Sequence, residues 1–126
     1  MTVSARPRPV ELPPQPGAAR RVLARLLGEA AWPGDIDGAL LAMHEAMVNA
    51  AHHGGGVTRA TAGLDGSTLV VEVADRGRGF DLPASPALAD GGAERGRGLF
   101  LIRHLSSAAW VVRAGPEVRL VLTFAP

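Results

Sequence analysis

The 126-residue sequence contains no cysteine and no lysine. Without cysteine there is neither a disulfide framework nor a thiolate metal site. Without lysine there is no Walker-type phosphate loop, whose lysine meets the β- and γ-phosphates. Aromatic residues are scarce, only Trp32, Phe80, Phe100, Trp110 and Phe124, and they are scattered. All 13 basic residues are arginine and the net charge is only +1, so the pI near 9.0 overstates the basicity. A general nucleic-acid binder shows a large basic excess interleaved with stacking aromatics, so direct nucleic-acid binding is not expected. No apolar run approaches the ~20 residues that a membrane span requires. The N-terminus lacks the apolar stretch of a secretory signal. A cytoplasmic protein without a membrane segment is the expectation.

The hydrophobic fraction of 47% is that of a globular protein, and the length suits one domain with a proper core. Residues 1–9 read as a loose arm and residues 10–126 as a single domain, because five of the ten prolines fall within Met1 to Gly17. Val10-Glu11-Leu12 reads as a short edge strand stopped by Pro13 and Pro14. Val22, Leu23, Leu26, Leu27 and Ala30 recur at helical spacing, which predicts a helix over 18–31 that stops at Trp32-Pro33-Gly34. Arg20, Arg21 and Arg25 fall on its other side, either as a solvated face or as a docking face for an acidic partner. Asp35 or Asp37 caps a second helix over 36–52, which Gly54-Gly55-Gly56 ends. Two strands follow, near 57–64 and 68–74, turned by Asp65-Gly66. Residues 81–95 lack periodicity, and a loop of that length in a small domain is often a functional lid. A third helix over 99–105 and two strands, near 110–113 and 118–124, complete the chain. The hairpins imply a two-layer α/β sandwich: a mixed, mostly antiparallel sheet with helices on one face.

Three stretches carry chemistry. Asp75-Arg76-Gly77-Arg78-Gly79-Phe80 follows the second hairpin strand. Its acid accepts hydrogen bonds from amino groups, and its glycines let a ligand approach the backbone, although Asp-x-Gly is also ordinary turn chemistry. In the second helix, Glu45 and Asn49 stand one turn apart on one face, amid alanine, methionine and valine. An amide oxygen suits a hard cation such as Mg2+, and a nearby carboxylate can take a proton from a hydroxyl. Gly96-Arg97-Gly98 precedes the third predicted helix, where free N–H groups and the helix dipole favour an anion. Arg76, Arg78, Arg95 and Arg97 flank the glycine pairs and can offset phosphate charge in place of lysine. Of these, Arg95 and Arg97 stand at the lid's exit, nearer the γ-phosphate end. Neither glycine pair completes G-x-G-x-x-G, which disfavours a dinucleotide fold. A metal site from His44, His52 and His53 is poor, because adjacent histidines diverge on a helix.

Together the three stretches resemble the boxes of the GHKL ATPases, the group that includes gyrase, the Hsp-type chaperones and histidine kinases. Glu45-Ala-Met-Val-Asn49-Ala-Ala-His-His53-Gly54 looks like the N-box. Asp75-Arg-Gly77-Arg-Gly79-Phe80 looks like the G1 box, and Gly96-Arg97-Gly98-Leu99 looks like the G2 box. In size and compact lid the chain is most similar to the anti-sigma-factor serine/threonine-protein kinases of bacteria. That resemblance covers residues 10 to the C-terminus and implies a Bergerat, or histidine-kinase-like ATPase, fold. It implies ATP and Mg2+ as cofactors, with Asn49 as the metal ligand and Glu45 as the general base acting on a partner's serine. By the same resemblance Asp75 accepts the adenine amino group, and Gly77 and Gly79 shape the nucleotide's approach. Gly96, Gly98 and Leu99 meet the phosphates, and His53 is structural.

The implied function is that of an anti-sigma regulatory factor. It phosphorylates a STAS-type anti-anti-sigma protein, sequesters a sigma factor, and forms a homodimer. Two alternatives stand beside it: a non-catalytic nucleotide-binding partner-switching module, and a stand-alone GHKL module acting with a separate phosphotransfer protein. One departure is visible. Relatives carry Gly-Thr in the last turn, where Thr supports the adenine site, but here the turn reads Gly115-Pro116-Glu117. Whether Thr123, further along the strand, replaces that threonine is left open. No dimerisation half of a histidine kinase is present, so a complete sensor kinase is not expected.

Overall fold

A computed structural model describes residues 8–77 and 93–126, with residues 93–97 as backbone alone. The elements run β1 (Val10–Leu12), α1 (Pro16–Glu29), α2 (Ile36–His53), β2 (Val57–Asp65), β3 (Thr68–Asp75), α3 (Ala93–Leu105), β4 (Ala108–Ala114) and β5 (Glu117–Phe124). The five strands form one sheet in the order β1-β2-β3-β5-β4, and every pairing is antiparallel.

Sheet parity decides which residues meet the helices, because alternate side chains point to opposite faces. Ala60 and Ala62 of β2, Leu69, Val71 and Val73 of β3, and Leu120, Leu122 and Phe124 of β5 are buried on one face. Against them pack Ala19, Leu23 and Leu27 of α1, together with Ala39, Ala42, Met43, Ala46, Met47 and Ala50 of α2. Those four alanines of α2 keep its buried stripe shallow, so the helix backbone lies close over the sheet. Ile102 and Leu99 bring α3 into the same core. Truncating a fully buried leucine such as Leu23 to alanine costs about 2–5 kcal/mol. The other sheet face carries Glu11, Arg59, Thr61, Glu72 and Arg119; its cross-strand Arg59–Glu11 pair, at 2.8 Å, is exposed and worth under about 1 kcal/mol.

The helix ends follow local chemistry. Pro16 stands in the first turn of α1, two residues before the predicted start, where a missing N–H costs nothing. At the other end, Trp32 N–H bonds the Leu27 carbonyl at 3.0 Å and Ala31 N–H bonds Gly28 at 3.1 Å. These two bonds make a Schellman closure, which places Ala31 at φ +49°. The stop therefore falls earlier than Trp32-Pro33-Gly34. Trp32 is instead a buried anchor whose indole N–H donates to the Ser67 carbonyl at 2.8 Å, tying α1 to the β2–β3 turn. Asp35, not Asp37, caps α2, with its Oδ1 accepting the Gly38 N–H at 3.0 Å.

Two further expectations are corrected. The β2–β3 turn is Gly66-Ser67 with Gly66 at φ +63°, since Asp65 still pairs with Thr68. More consequentially, α3 begins at Ala93, so Gly96-Arg97-Gly98 lies inside the helix rather than ahead of it. Glycine lowers helix propensity, but the contact of α3 with α2 outweighs about 1 kcal/mol per glycine. Among the described residues no helix is long and apolar enough to cross a membrane.

Candidate functional site

Asp75 is the last residue of β3 and pairs with Val57 on one side and Val118 on the other. Parity turns its side chain toward the helices, and it is only 4% exposed. A carboxylate so placed requires donors. One comes from the chain itself: the Gly77 N–H donates to Oδ1 at 2.8 Å, an Asx turn. Oδ2 faces Gly54, the C-cap of α2, where a Cβ would lie 2.5 Å from the Asp75 Cγ. The Arg76 N–H bonds the Gly54 carbonyl at 3.1 Å, fastening the end of β3 to the end of α2.

From that junction the helix leads to the second group. Asn49 lies five residues back from Gly54, roughly 7.5 Å along the axis, and Glu45 one turn further. Asn49 is 5% exposed, yet its Nδ2 is buried with no hydrogen-bond partner among the described residues. Gly98 of α3 closes over this pair. A Cβ there would sit 3.2 Å from Asn49 Nδ2, 3.3 Å from its Oδ1 and 3.3 Å from Glu45 Oε2. The absence of a side chain lets α3 approach these polar groups without displacing them.

The role of Gly98 therefore differs from the expected one. Its N–H is an interior helix group, whereas within α3 the N–H groups lacking intrahelical acceptors are those of 93–95. The positive end of the α3 dipole thus falls upstream of the glycine pair, and of the pair only Gly96 still belongs to the first turn. Leu99 is buried against the core, 8% exposed. Gly79, with Arg78 and Phe80, lies outside the described residues, as do the predicted lid up to residue 92 and the side chains of Arg95 and Arg97. Gly77 is described; its φ of +86° is one that L side chains rarely adopt.

Thr123 does not replace the missing threonine. It pairs with Val70 and Ala108, whereas Asp75 pairs with Val118. Five residues of strand separate the two sites, about 16 Å, and the parity is opposite. The sequence pattern missed Thr58. It occupies the register shift between Val57 and Arg59 and lines an open depression of about 350 Å³ with Asp75, Arg76, Pro116 and Glu117. A one-residue bulge leaves no periodicity by which to find it.

Asn49 fits a Mg2+ role. Mg2+ keeps several waters and takes one or two protein ligands beside substrate phosphates. The unmet atom is the Nδ2 donor, but a half-turn of the carboxamide exchanges its oxygen and nitrogen, and that oxygen beside a carboxylate supplies the donor set. His52 and His53 are exposed with ring centroids 6.2 Å apart, and among the described residues no three His, Asp or Glu side chains gather to hold a metal.

No curated protein matches the chain. The signature of the histidine kinase-like ATPase domain matches residues 10–123, which run from the start of β1 into the end of β5 and include Glu45, Asn49, Asp75 and Gly98. With three helices covering one antiparallel sheet, and with the paired polar groups along α2, the chain belongs to the histidine kinase-like ATPase domain family and is an ATP-binding module of the GHKL type.

Proposed function

We propose that the protein is a cytoplasmic, homodimeric Mg-ATP-dependent serine kinase. It would phosphorylate a STAS-type anti-anti-sigma partner and sequester a sigma factor. The observation that carries this reading is the meeting of Glu45 Oε2 and the Asn49 carboxamide over Gly98, each 3.2–3.3 Å from where a Cβ of residue 98 would stand. A proton acceptor and an ion ligand thus share one spot, with Asn49 roughly 7.5 Å along α2 from Gly54, where the Asp75 carboxylate sits.

In this reading Asp75 accepts an amino hydrogen of adenine, and the nucleotide runs along α2 so that its phosphates reach Asn49. Mg2+, when bound, offsets the charge shared by the β- and γ-phosphates, and Asn49 would hold it. Glu45 takes the proton as the partner's serine Oγ bonds to the γ-phosphorus. The bond from γ-phosphorus to the bridging oxygen breaks and ADP leaves. Positioning and charge stabilisation dominate such a transfer. The first turn of α3 points its free N–H groups toward the space beyond residue 93, consistent with an anion there.

The test is an incubation of the protein and its Glu45→Ala variant with labelled ATP and candidate serine partners. Loss of transfer with retained ATP binding is expected in the variant; full transfer refutes the role of Glu45. A second reading, a nucleotide-binding module that only grasps its partner, is favoured by Pro116, which brings no hydroxyl to Asp75 from the β4–β5 turn. Mg-ATP binding by the wild type with no transfer to any serine partner would establish it.

A further inference from the structure

We infer that Gly54 is the positioning residue for Asp75, and so determines whether the site selects adenine. The inference rests on the reading that Asp75 takes the adenine amino group. Three observations carry it. First, Gly54 has φ −102° and ψ 4°, a conformation open to L-residues, so its backbone does not require glycine. In this it differs from its neighbours Gly55 and Gly56, at φ +82° and +108°. Second, the space at its Cα is already filled by the Asp75 side chain. A Cβ would lie 2.5 Å from Cγ and 2.8 Å from Cβ of Asp75, with Oδ2 closer still. Third, the backbones of both residues are tied in place. The Gly54 N–H bonds the Ala50 carbonyl and its own carbonyl accepts Arg76 N–H at 3.1 Å, while Asp75 is held between Val57 and Val118 and through Oδ1 by Gly77.

A methyl group at position 54 therefore falls chiefly on the carboxylate. It turns the carboxylate, breaking the Gly77 bond and moving Oδ2 away from where it now points, while the 2.8 Å approach to the Asp75 Cβ opens the Gly54–Asp75 junction by a few tenths of an ångström. The rest of α2, including Asn49 and Glu45, keeps its place. The consequence is selective: the base loses its acceptor while the phosphate end remains. Gly54 acts through Asp75 and needs no contact with the nucleotide.

The experiment compares calorimetric affinities for ATP and for purine riboside triphosphate, which has hydrogen in place of the 6-amino group. The proteins are the wild type, Gly54→Ala, Asp75→Gly and the double variant. Gly54→Ala should lower ATP affinity by about tenfold or more, the scale of a hydrogen bond to a charged group. It should leave purine riboside triphosphate within about twofold, and it should add nothing in the Asp75→Gly background. Equal loss of both nucleotides, or no loss of ATP, overturns the inference. If Asp75→Gly alone keeps the wild-type preference for ATP, the base-recognition reading has failed, and the inference with it, whatever Gly54→Ala does. Should Gly54→Ala not fold, the double variant decides. Recovery of a cooperative melt when the carboxylate is gone supports the steric account; failure of both shows that the backbone itself needs glycine and overturns it.

Discussion

Gly77 and Pro116 touch through their backbones: a Cβ on Gly77 would lie 2.8 Å from the Pro116 carbonyl carbon and nearer still to its oxygen. The turn after Asp75 is thereby seated on the turn between β4 and β5, and the walls of the Asp75 depression belong to both. Gly77 also has φ +86°. Two penalties coincide at this position, a left-handed conformation of about 1–2 kcal/mol for an L-residue and an overlap with backbone that cannot rotate away, about 1–3 kcal/mol. Gly77→Ala should therefore destabilise the fold by about 2–5 kcal/mol and lower the melting temperature by about 10–20 °C. Thermal unfolding without nucleotide checks it; an unchanged midpoint would mean that the two turns are not in contact.

Gly98→Ala reads out a different pressure. Within a helix, alanine is better than glycine by about 1 kcal/mol. Here the new methyl would stand 3.2–3.3 Å from Asn49 and Glu45, tight enough that the carboxamide and carboxylate must yield by tenths of an ångström. The gain and the crowding nearly cancel, so the melting temperature of the free protein should move by less than about 4 °C. In the proposed reading the groups displaced are the two at the phosphate end, so the Mg-dependent part of ATP binding should fall. Titrating ATP with and without Mg2+ separates the two effects, and an unaltered Mg2+ dependence would contradict the placement of Gly98.

The fold was legible because its signals are periodic or are punctuated by strong breakers. Leu69, Val71 and Val73 alternate, the glycines after His53 stop α2, and Gly115 turns the last hairpin at φ +63°. The site was legible in part for the same reason. The four-residue spacing of Glu45 and Asn49 fixes a shared helix face without knowledge of anything else. What stayed hidden depends on tertiary contact. Glycines at 96 and 98 signal a helix start by local propensity, yet the packing of Leu99 and Ile102 with α2 lets α3 run back to Ala93. Thr58 reaches the Asp75 depression only through a bulge. Trp32 looked like part of a stop signal, because nothing local says that its indole meets Ser67, 35 residues away.

Ala31 offers a stability test remote from the site. It occupies the left-handed closing position of α1 at φ +49°, where glycine is the usual residue. Its N–H already makes the closing bond to Gly28, so exchange removes strain without losing a contact. Ala31→Gly should raise stability by about 1 kcal/mol, the left-handed penalty less the extra entropy of glycine in the unfolded chain. Denaturant unfolding should show a higher midpoint at unchanged slope, and ATP affinity should stay as it was.

Helix α2 carries two buried nitrogens without a hydrogen-bond partner among the described residues, Asn49 Nδ2 and His44 Nδ1. Left unsatisfied, each costs about 1–3 kcal/mol. The two positions are adjacent in kind but not in direction: Asn49 faces Gly98 and lies one turn from Glu45, while His44 is rotated about 100° from Glu45 around the helix. If the unmet amide is kept for a ligand, removing it should relieve the free protein and cripple the bound one. Asn49→Leu should leave the nucleotide-free melting temperature unchanged or higher, and should abolish the added midpoint that Mg-ATP gives over ATP alone. His44→Leu should also leave the free protein at least as stable, yet keep the full Mg-ATP shift. Melting curves of the three proteins, each with no nucleotide, with ATP and with Mg-ATP, check both expectations together. Equal losses of the Mg-ATP shift in the two variants would mean that α2 tolerates no apolar replacement near the site, and that the Asn49 carboxamide is not what holds the ion.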